Sequence, residues 1–533
     1  MKNLLIILSI ISVSAVFADD YYFYVQLTDK NNTPFSLANA PAFLSPDAIA
    51  RRQRMNIAID SSDFPVNPLY VEQVKNHSAR IVGQSRWLNG LTVALTDSAQ
   101  ISTIETLHFV DFVKYTGKRG STNGVQRSKQ SGISRVTNNN TLPQLQQIKA
   151  DYLHSLGYRG NGVKMAVIDA GFLHVDVNHA FDSLRNEGRL LGTRDFSDSN
   201  PNVFAGHYHG ANVLSIIAGN LSDQFIGSAP DAQYLLLVSE YFPSEYPVET
   251  DFWVSAAEYA DSAGVEIISS SLGYGVFTSD NSLSFKYQDM TGAVSRASRA
   301  ATIASHKGII VCSSAGNEGS TAWHYITSPG DADGIITVGA VTAAGNPSSF
   351  SSYGPSADNR IKPEIAAMGT SIVFVDNNGT LSSGNGTSYA TPLVAGAVAS
   401  FLQYVKANFA TYSVAAIRDA IIKSANHYDS PTAQSGYGIP DFQVAKTNID
   451  SILPPKNNNS PEKKFFFSIS DKCLHIAKDL SENTVHIFSV DGKMLYSKNN
   501  VNDKISLADL AKGCYIVRLK SQNFVDSQII IIE

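Results

Sequence analysis

Three short segments bring together side chains able to do nucleophilic chemistry. Val167-Ile-Asp169-Ala-Gly171 ends an apolar run in an acid. His209-Gly-Ala-Asn-Val-Leu-Ser-Ile-Ile-Ala-Gly219 opens an apolar helical pattern with a histidine. Gly386-Thr-Ser388-Tyr-Ala-Thr-Pro392 leads through a glycine into a serine at the head of a small-residue helix, Ala390–Tyr404. Taken singly, each has a plain reading: Asp169 a cap or turn residue, His209 a surface histidine, Ser388 an N-cap. Taken together they are a nucleophile, its base and an orienting carboxylate. A serine hydroxyl attacks a carbonyl only when a base removes its proton, and the base needs a carboxylate to hold its tautomer and stabilise its charge. Pro392 suits the first turn of a helix, and the positive helix end would stabilise negative charge developing near Ser388.

Such residues must be held at element ends. Val163–Asp169, Tyr234–Ser239, Val265–Ser271, Ile309–Ser314 and Ile335–Val341 are short, apolar and rich in β-branched residues, with helical patterns such as Trp253–Gly264 and Ala293–Lys307 between them. Near-continuous apolar strands alternating with helices predict an α/β, doubly wound parallel sheet covered on both faces, whose functional groups lie at the carboxyl ends of the strands. The chain order Asp, His, Ser differs from the Ser, Asp, His order of α/β-hydrolases, and Ala390 two places after Ser388 excludes their G-x-S-x-G turn.

The Asp169, His209 and Ser388 motifs resemble the three signature motifs of subtilisin-like serine proteases, peptidase family S8. Ser313-Ser-Ala-Gly-Asn317-Glu-Gly resembles the segment bearing that family's oxyanion-hole amide, and Ser271, Leu272 and Gly273 resemble its substrate-pairing strand. Phe350-Ser-Ser-Tyr-Gly-Pro355 and Lys362-Pro-Glu-Ile-Ala-Ala-Met-Gly369 are similar to its framework. The resemblance runs from about Gln144 to Ala445 and implies a serine-type endopeptidase. Asp169, His209 and Ser388 would be catalytic, and Asn317 with the Ser388 N–H would form the oxyanion hole. Protein or peptide would be the substrate. Two neighbours depart from the family pattern, Ala211 where Thr is usual and Tyr389 where Met is common. The resemblance requires no cofactor for catalysis. Relatives hold structural calcium, but no loop here has a readable ligand spacing.

The flanks extend the reading. The chain has 533 residues with 43% hydrophobic and 17% charged, enough for about two to four domains. A net charge of −6 without a basic block argues against nucleic acid as partner. Lys2, the apolar run Leu4–Val16 and small residues up to Ala18 read as a signal peptide over 1–18, and no later run reads as transmembrane. Residues 19–120 show strand patterns at Tyr21–Leu27, Arg80–Gln84, Leu88–Leu95 and Phe109–Tyr115 and a helix at Pro46–Met55. This small α+β unit resembles the family's inhibitory propeptide, which makes the chain's own propeptide a partner of its enzyme. A polar stretch, Lys118–Asn140, places a processing region at 121–141; self-cleavage is expected there. The peptidase domain is set at 142–453 and a Pro- and Asn-rich linker at 454–464. Residues 465–533 carry strand patterns at Phe465–Ser470, Leu474–Ala477, Val485–Val490, Tyr515–Leu519 and Gln528–Ile532, with a hairpin signal at Asp491-Gly492, and predict a small β-sandwich. It resembles the C-terminal sorting domain of the type IX secretion system of Bacteroidota, which implies that machinery as partner and a secreted or cell-surface protein exported through the periplasm. Of three cysteines, Cys312 reads as a core residue, and spacing alone does not tell whether Cys473 and Cys514 pair.

Two other readings compete. His174, Asp176 and His179, with His207-Tyr-His209, could serve a metal-dependent hydrolase, although no His-Glu-x-x-His helix exists. A non-catalytic surface binding protein on the same fold is the second. His207 also rivals His209 as base; the glycine and helix that follow His209 favour the latter.

Overall fold

The computed structural model describes residues 20–77, 79–119, 131–135, 142–197, 200–222, 224–456, 465–468, 472–476, 483–501, 503–521 and 524–532. The expected signal segment, most of the processing region and linker residues 457–464 lie outside them. The chain divides into two compact units, up to Pro455 and from Lys456.

At the centre of the first unit is a parallel sheet: β1 (Lys164–Asp169), β2 (Leu190–Asp195), β3 (Gln233–Val238), β4 (Ile267–Ser270), β5 (Ile310–Ser314), β6 (Ile336–Val341) and β7 (Ile365–Met368), in the order β7-β6-β5-β4-β1-β3-β2. All six neighbouring pairs are parallel. Alternate side chains feed two cores. Met165 and Val167 of β1 join one that includes α1 (His209–Ala218) and α4 (Thr387–Asn408), whereas Ala166 and Ile168 join another with α2 (Val248–Ser262) and α3 (Arg296–His306). That two-sided burial is why the strands read as unbroken apolar runs. The strand order reverses around β1, so the crevice at the carboxyl ends of β1 and β4 is where such a sheet presents functional groups.

Sequence reading missed β2 and β7. β2 is an edge strand with a polar, half-exposed end, and Ile365-Ala-Ala-Met lacks the β-branched content that marks a strand. Helix α2 begins at Val248 rather than Trp253, with Glu249 and Asp251 in its first turn, where the helix dipole favours acids. Pro392 lies in the second turn of α4, not the first, because the helix starts at Thr387.

Residues 20–119 form a four-stranded antiparallel sheet, ordered Arg80–Ser85, Gly90–Leu95, Asp20–Leu27, Val110–Arg119. The last strand runs on to Arg119, paired with Asp20, past the expected start of the polar stretch. Helices Pro46–Arg54, Pro68–Lys75 and the short Ile101–Glu105 accompany it. Phe23, Val25, Leu91 and Val93 build its own core, while Tyr22, Trp87, Leu88 and Ala94 pack into the core around α2 and α3.

The second unit has two antiparallel sheets, one of Phe465–Ser468, Cys473–Ile476 and Lys504–Ser506, the other ordered Met494–Asn499, Thr484–Ser489, Gly513–Ser521, Phe524–Ile532. Leu474, Ile476 and Ile505 of the first meet Val485, Ile487, Val517 and Leu519 of the second in one core, which makes a small sandwich. Gly492 takes φ +87° in the expected hairpin. No disulfide joins Cys473, which is buried, to Cys514, which is exposed. Among the described residues no helix is long and apolar enough to cross a membrane.

Candidate active site

Asp169 is the last residue of β1 and fully buried. Its Oδ1 lies 2.7 Å from His209 Nδ1 and also accepts the Ala170 N–H at 2.7 Å. Its Oδ2 has no protein partner among the described residues. His209 is the first residue of α1 and also buried. With a carboxylate accepting at Nδ1, the ring proton sits there and Nε2 keeps its lone pair. Gly210 makes this approach feasible: a Cβ there would stand 2.4 Å from the Gly171 carbonyl oxygen and 2.9 Å from Asp169 Cβ.

Ser388 is the second residue of α4. A Cβ on Gly386 would sit 2.8 Å from Ser388 Oγ, so a side chain there would push that hydroxyl out of place. Pro392 has no N–H to give the Ser388 carbonyl, as the fourth residue on in a helix would. Ser271 Oγ donates to that oxygen instead, at 2.8 Å. Among the described residues Ser388 Oγ makes no hydrogen bond to His209, whose ring stacks against Tyr389 with centroids 6.1 Å apart. Phe374 stacks on Tyr389 at 4.9 Å, and burial pushes the tyrosine hydroxyl's pKa up.

Asn317 Oδ1 accepts from the Thr387 N–H at 2.8 Å and from Thr387 Oγ1 at 3.0 Å. These two donors fix the amide's orientation and leave Nδ2 as its free donor. Ser271, Leu272 and Gly273 continue from β4; Ser314 Oγ donates to the Leu272 carbonyl at 3.1 Å. The structure thus gathers Asp169, His209, Asn317, Ser388 and the Ser271–Gly273 segment at the carboxyl ends of adjacent strands.

The competing residues disperse. His179 is almost fully exposed beside Asp182, and His174 Nδ1 meets the Asn377 carbonyl. Nδ1 of His207 accepts the His209 N–H at 3.2 Å, and its ring stacks on Phe242 at 4.2 Å. Among the described residues no three His, Cys, Asp or Glu side chains gather as a metal-binding cluster. Cys312 lies in the core, where burial raises its thiol pKa far above the nucleophilic range. Thr387 and the bond from Ser271 to the Ser388 carbonyl were missed in the sequence. The second was signalled by a proline four places after the serine.

Residues 160–439 match the peptidase S8 model, described as the subtilase family. The chain belongs to the subtilase family. Subtilisin of Bacillus pumilus is 32% identical over 304 residues, 56% of this chain and 97% of that protein. Subtilisin E of Bacillus subtilis is 32% identical over 304 residues, covering 70% of its length. The thermostable alkaline protease of Halalkalibacterium halodurans is 31% identical over 303 residues, covering 72% of its length. This subtilase is therefore a serine-type endopeptidase. Residues 22–133 match a peptidase S8 propeptide domain of Bacteroidota, and residues 466–533 match a secretion system C-terminal sorting domain. The subtilase thus carries a propeptide and a type IX sorting domain, and is a secreted or cell-surface protein.

Proposed function

We propose that this subtilase hydrolyses peptide bonds through an acyl-enzyme formed on Ser388, with Asp169 and His209 completing the triad. His209 Nε2 takes the Ser388 Oγ proton as that oxygen attacks the substrate carbonyl. Asp169 holds the ring and stabilises the imidazolium. Asn317 Nδ2 and the Ser388 N–H at the start of α4 donate to the oxyanion. The protonated His209 gives its proton to the leaving amine, and water, deprotonated by the same ring, releases the acyl group. Ser271, Leu272 and Gly273 pair with the substrate backbone beside the site.

The observation that carries this reading is the buried 2.7 Å contact between Asp169 Oδ1 and His209 Nδ1, which leaves Nε2 as the base. The packed face of residues 20–119 on α2 and α3 supports synthesis as an autoinhibited zymogen, with processing in 121–141 separating that propeptide from a peptidase domain at 142–453. We assign 1–18 to export into the periplasm and 465–533, behind the linker 454–464, to delivery by the type IX machinery.

Casein hydrolysis by the mature protein and by Ser388→Ala, each with and without a serine-reactive phosphonate, tests the triad. The variant and the treated wild type are expected to lose about six orders of magnitude in kcat. Retained activity in Ser388→Ala removes Ser388 as nucleophile.

A further inference from the structure

Beside His209, the fold leaves several buried polar atoms unpaired. Asp169 Oδ2, both side-chain atoms of Asn212 and Tyr389 Oη make no hydrogen bond of good geometry among the described residues, and all three residues are fully buried. Asn212 lies on α1 three residues after His209, on the same face of the helix. An asparagine there is unfavourable twice over, as a poor helix former and as a buried amide. Its neighbours Ala211, Val213 and Leu214 are buried and apolar. Tyr389 follows Ser388 on α4, and its ring centroid stands 6.1 Å from that of His209. The ring is fixed in place: Phe374 stacks on it at 4.9 Å, and a Cβ on Gly384 would come within 3.0 Å of its Cε2. The Asn212 amide faces the Tyr389 hydroxyl, and the Asp169 charge acts on that hydroxyl as well. The methionine common at this position in the family would bring no O–H donor.

We propose that Asn212 and Tyr389 are positioning residues for the triad, which bind one water molecule against Asp169 Oδ2. The inference rests on the triad reading above. Buried polar atoms in folded proteins are paired with protein or with ordered water, and a buried water needs about two to four polar partners. This cluster offers them. The water donates to Asp169 Oδ2 and Asn212 Oδ1 and accepts from the Tyr389 hydroxyl, whose oxygen accepts in turn from Asn212 Nδ2. Every orphaned atom of the cluster is then satisfied. Asp169 Oδ1 already serves His209 Nδ1 and the Ala170 N–H. A partner on the second oxygen therefore fixes the rotation of the carboxylate, and with it the ring that the carboxylate holds. The same partner spreads the negative charge, which lowers the affinity of His209 for a proton. The titratable neighbours of that ring are Asp169 from β1, His207 and Tyr208 just before α1, and Tyr389 from α4.

The test compares the mature enzyme with its Tyr389→Phe, Asn212→Leu and doubly substituted variants, each normalised by phosphonate labelling of Ser388. The proton between His209 Nδ1 and Asp169 gives a downfield NMR resonance that follows the titration of this ring alone. Its midpoint, and with it the acid limb of kcat/KM for casein, is expected to move up by about half a unit to one unit in either single variant, because the carboxylate loses a donor. The double variant moves by less than the sum of the two, since one water serves both side chains. A crystal structure of the mature wild type is expected to show ordered solvent within hydrogen-bond reach of Asp169 Oδ2, Asn212 and Tyr389 Oη. A merely structural role would lower Tm and leave the midpoint in place. A midpoint unmoved in Tyr389→Phe, or no ordered solvent at that position, overturns the proposal and leaves the triad intact. If Asn212→Leu does not fold, Tyr389→Phe decides alone. Absence of both the downfield resonance and Ser388 labelling in the wild type overturns the triad reading and this inference with it.

Discussion

Two polar regions of the first unit are built on opposite terms. At the seam between residues 20–119 and α2, every carboxylate oxygen of Glu258 and Asp261 is taken. Glu258 accepts from Ser85 Oγ at 2.6 Å and from the Arg86 and Trp87 N–H groups at 2.9 and 3.1 Å. Asp261 meets the guanidiniums of Arg51, Arg52 and Arg86, all buried. In the crevice, by contrast, Asp169 Oδ2, His209 Nε2, Ser388 Oγ and Asn317 Nδ2 have no protein partner among the described residues. Carboxylates saturated in this way fix one arrangement, because any departure strands a charge. Open donors and acceptors beside a held ring and a held amide are left for a reacting group. The seam is therefore a lock, and the crevice a site.

The largest effect expected from breaking this contrast is at the seam. Asp261→Asn in the full-length chain, made in a Ser388→Ala background to prevent self-cleavage, leaves three buried guanidiniums without their shared anion. The loss is about 3–5 kcal/mol, the typical cost of removing one partner from a buried ion pair. Amide hydrogen exchange in Pro46–Arg54 and Gly90–Leu95 is expected to quicken by about 10²–10⁴-fold; unchanged exchange would mean the charges do not hold the seam. Its pH dependence has a definite sign. Burial alone would raise the Asp261 carboxyl, but Arg51, Arg86 and Arg52 outweigh it and hold it below its ordinary 3.8. Its contribution is thus present above 3.8 and lost only as pH falls through the lowered value. Burial raises the Glu258 and Asp251 carboxyls, so their penalty in the docked state fades as pH falls through those raised values. Protection measured from pH 7 towards 5 should hold or rise, and fall only below about 4.

In the crevice the corresponding test is Asn317→Ala. It removes a donor that Thr387 orients but that has no ground-state partner. The expected loss is about 10²–10³-fold in kcat with KM nearly unchanged, since the interaction is made only as the oxyanion forms. A raised KM with kcat unchanged would place Asn317 in ground-state binding instead.

How far these regions can be read from sequence differs for physical reasons. Asp169, His209, Asn317 and Ser388 stand at element ends within short patterns of glycine and small residues; close backbone approach demands the glycine at Gly210, and a Cβ at Gly386 would crowd Ser388 Oγ. Local sequence therefore records the site. The seam leaves no such trace. Arg51 and Asp261 lie 210 residues apart, and an Arg-Arg pair in a helix reads as a solvated face until the partner element is placed against it. Strands β2 and β7 escaped because an edge position and an alanine-rich run each remove the strand signal.

The smallest expected effect falls where crevice and helix meet. Pro392 leaves the Ser388 carbonyl without its helical donor, and Ser271 Oγ supplies one. Ser271→Ala strands a buried carbonyl and should cost about 1–3 kcal/mol, read as a lower Tm. Pro392→Ala restores an N–H that can reach the same oxygen. In the double variant Ser271→Ala/Pro392→Ala that N–H takes over, so the Tm loss is smaller than in Ser271→Ala alone. Strict additivity of the two changes would mean that they do not act on the same oxygen. The hydroxyl also ties the Ser271–Gly273 segment to the helix that carries Ser388. The double variant should therefore regain stability without regaining the wild-type KM, which separates the donor role of Ser271 from its role in placing the strand.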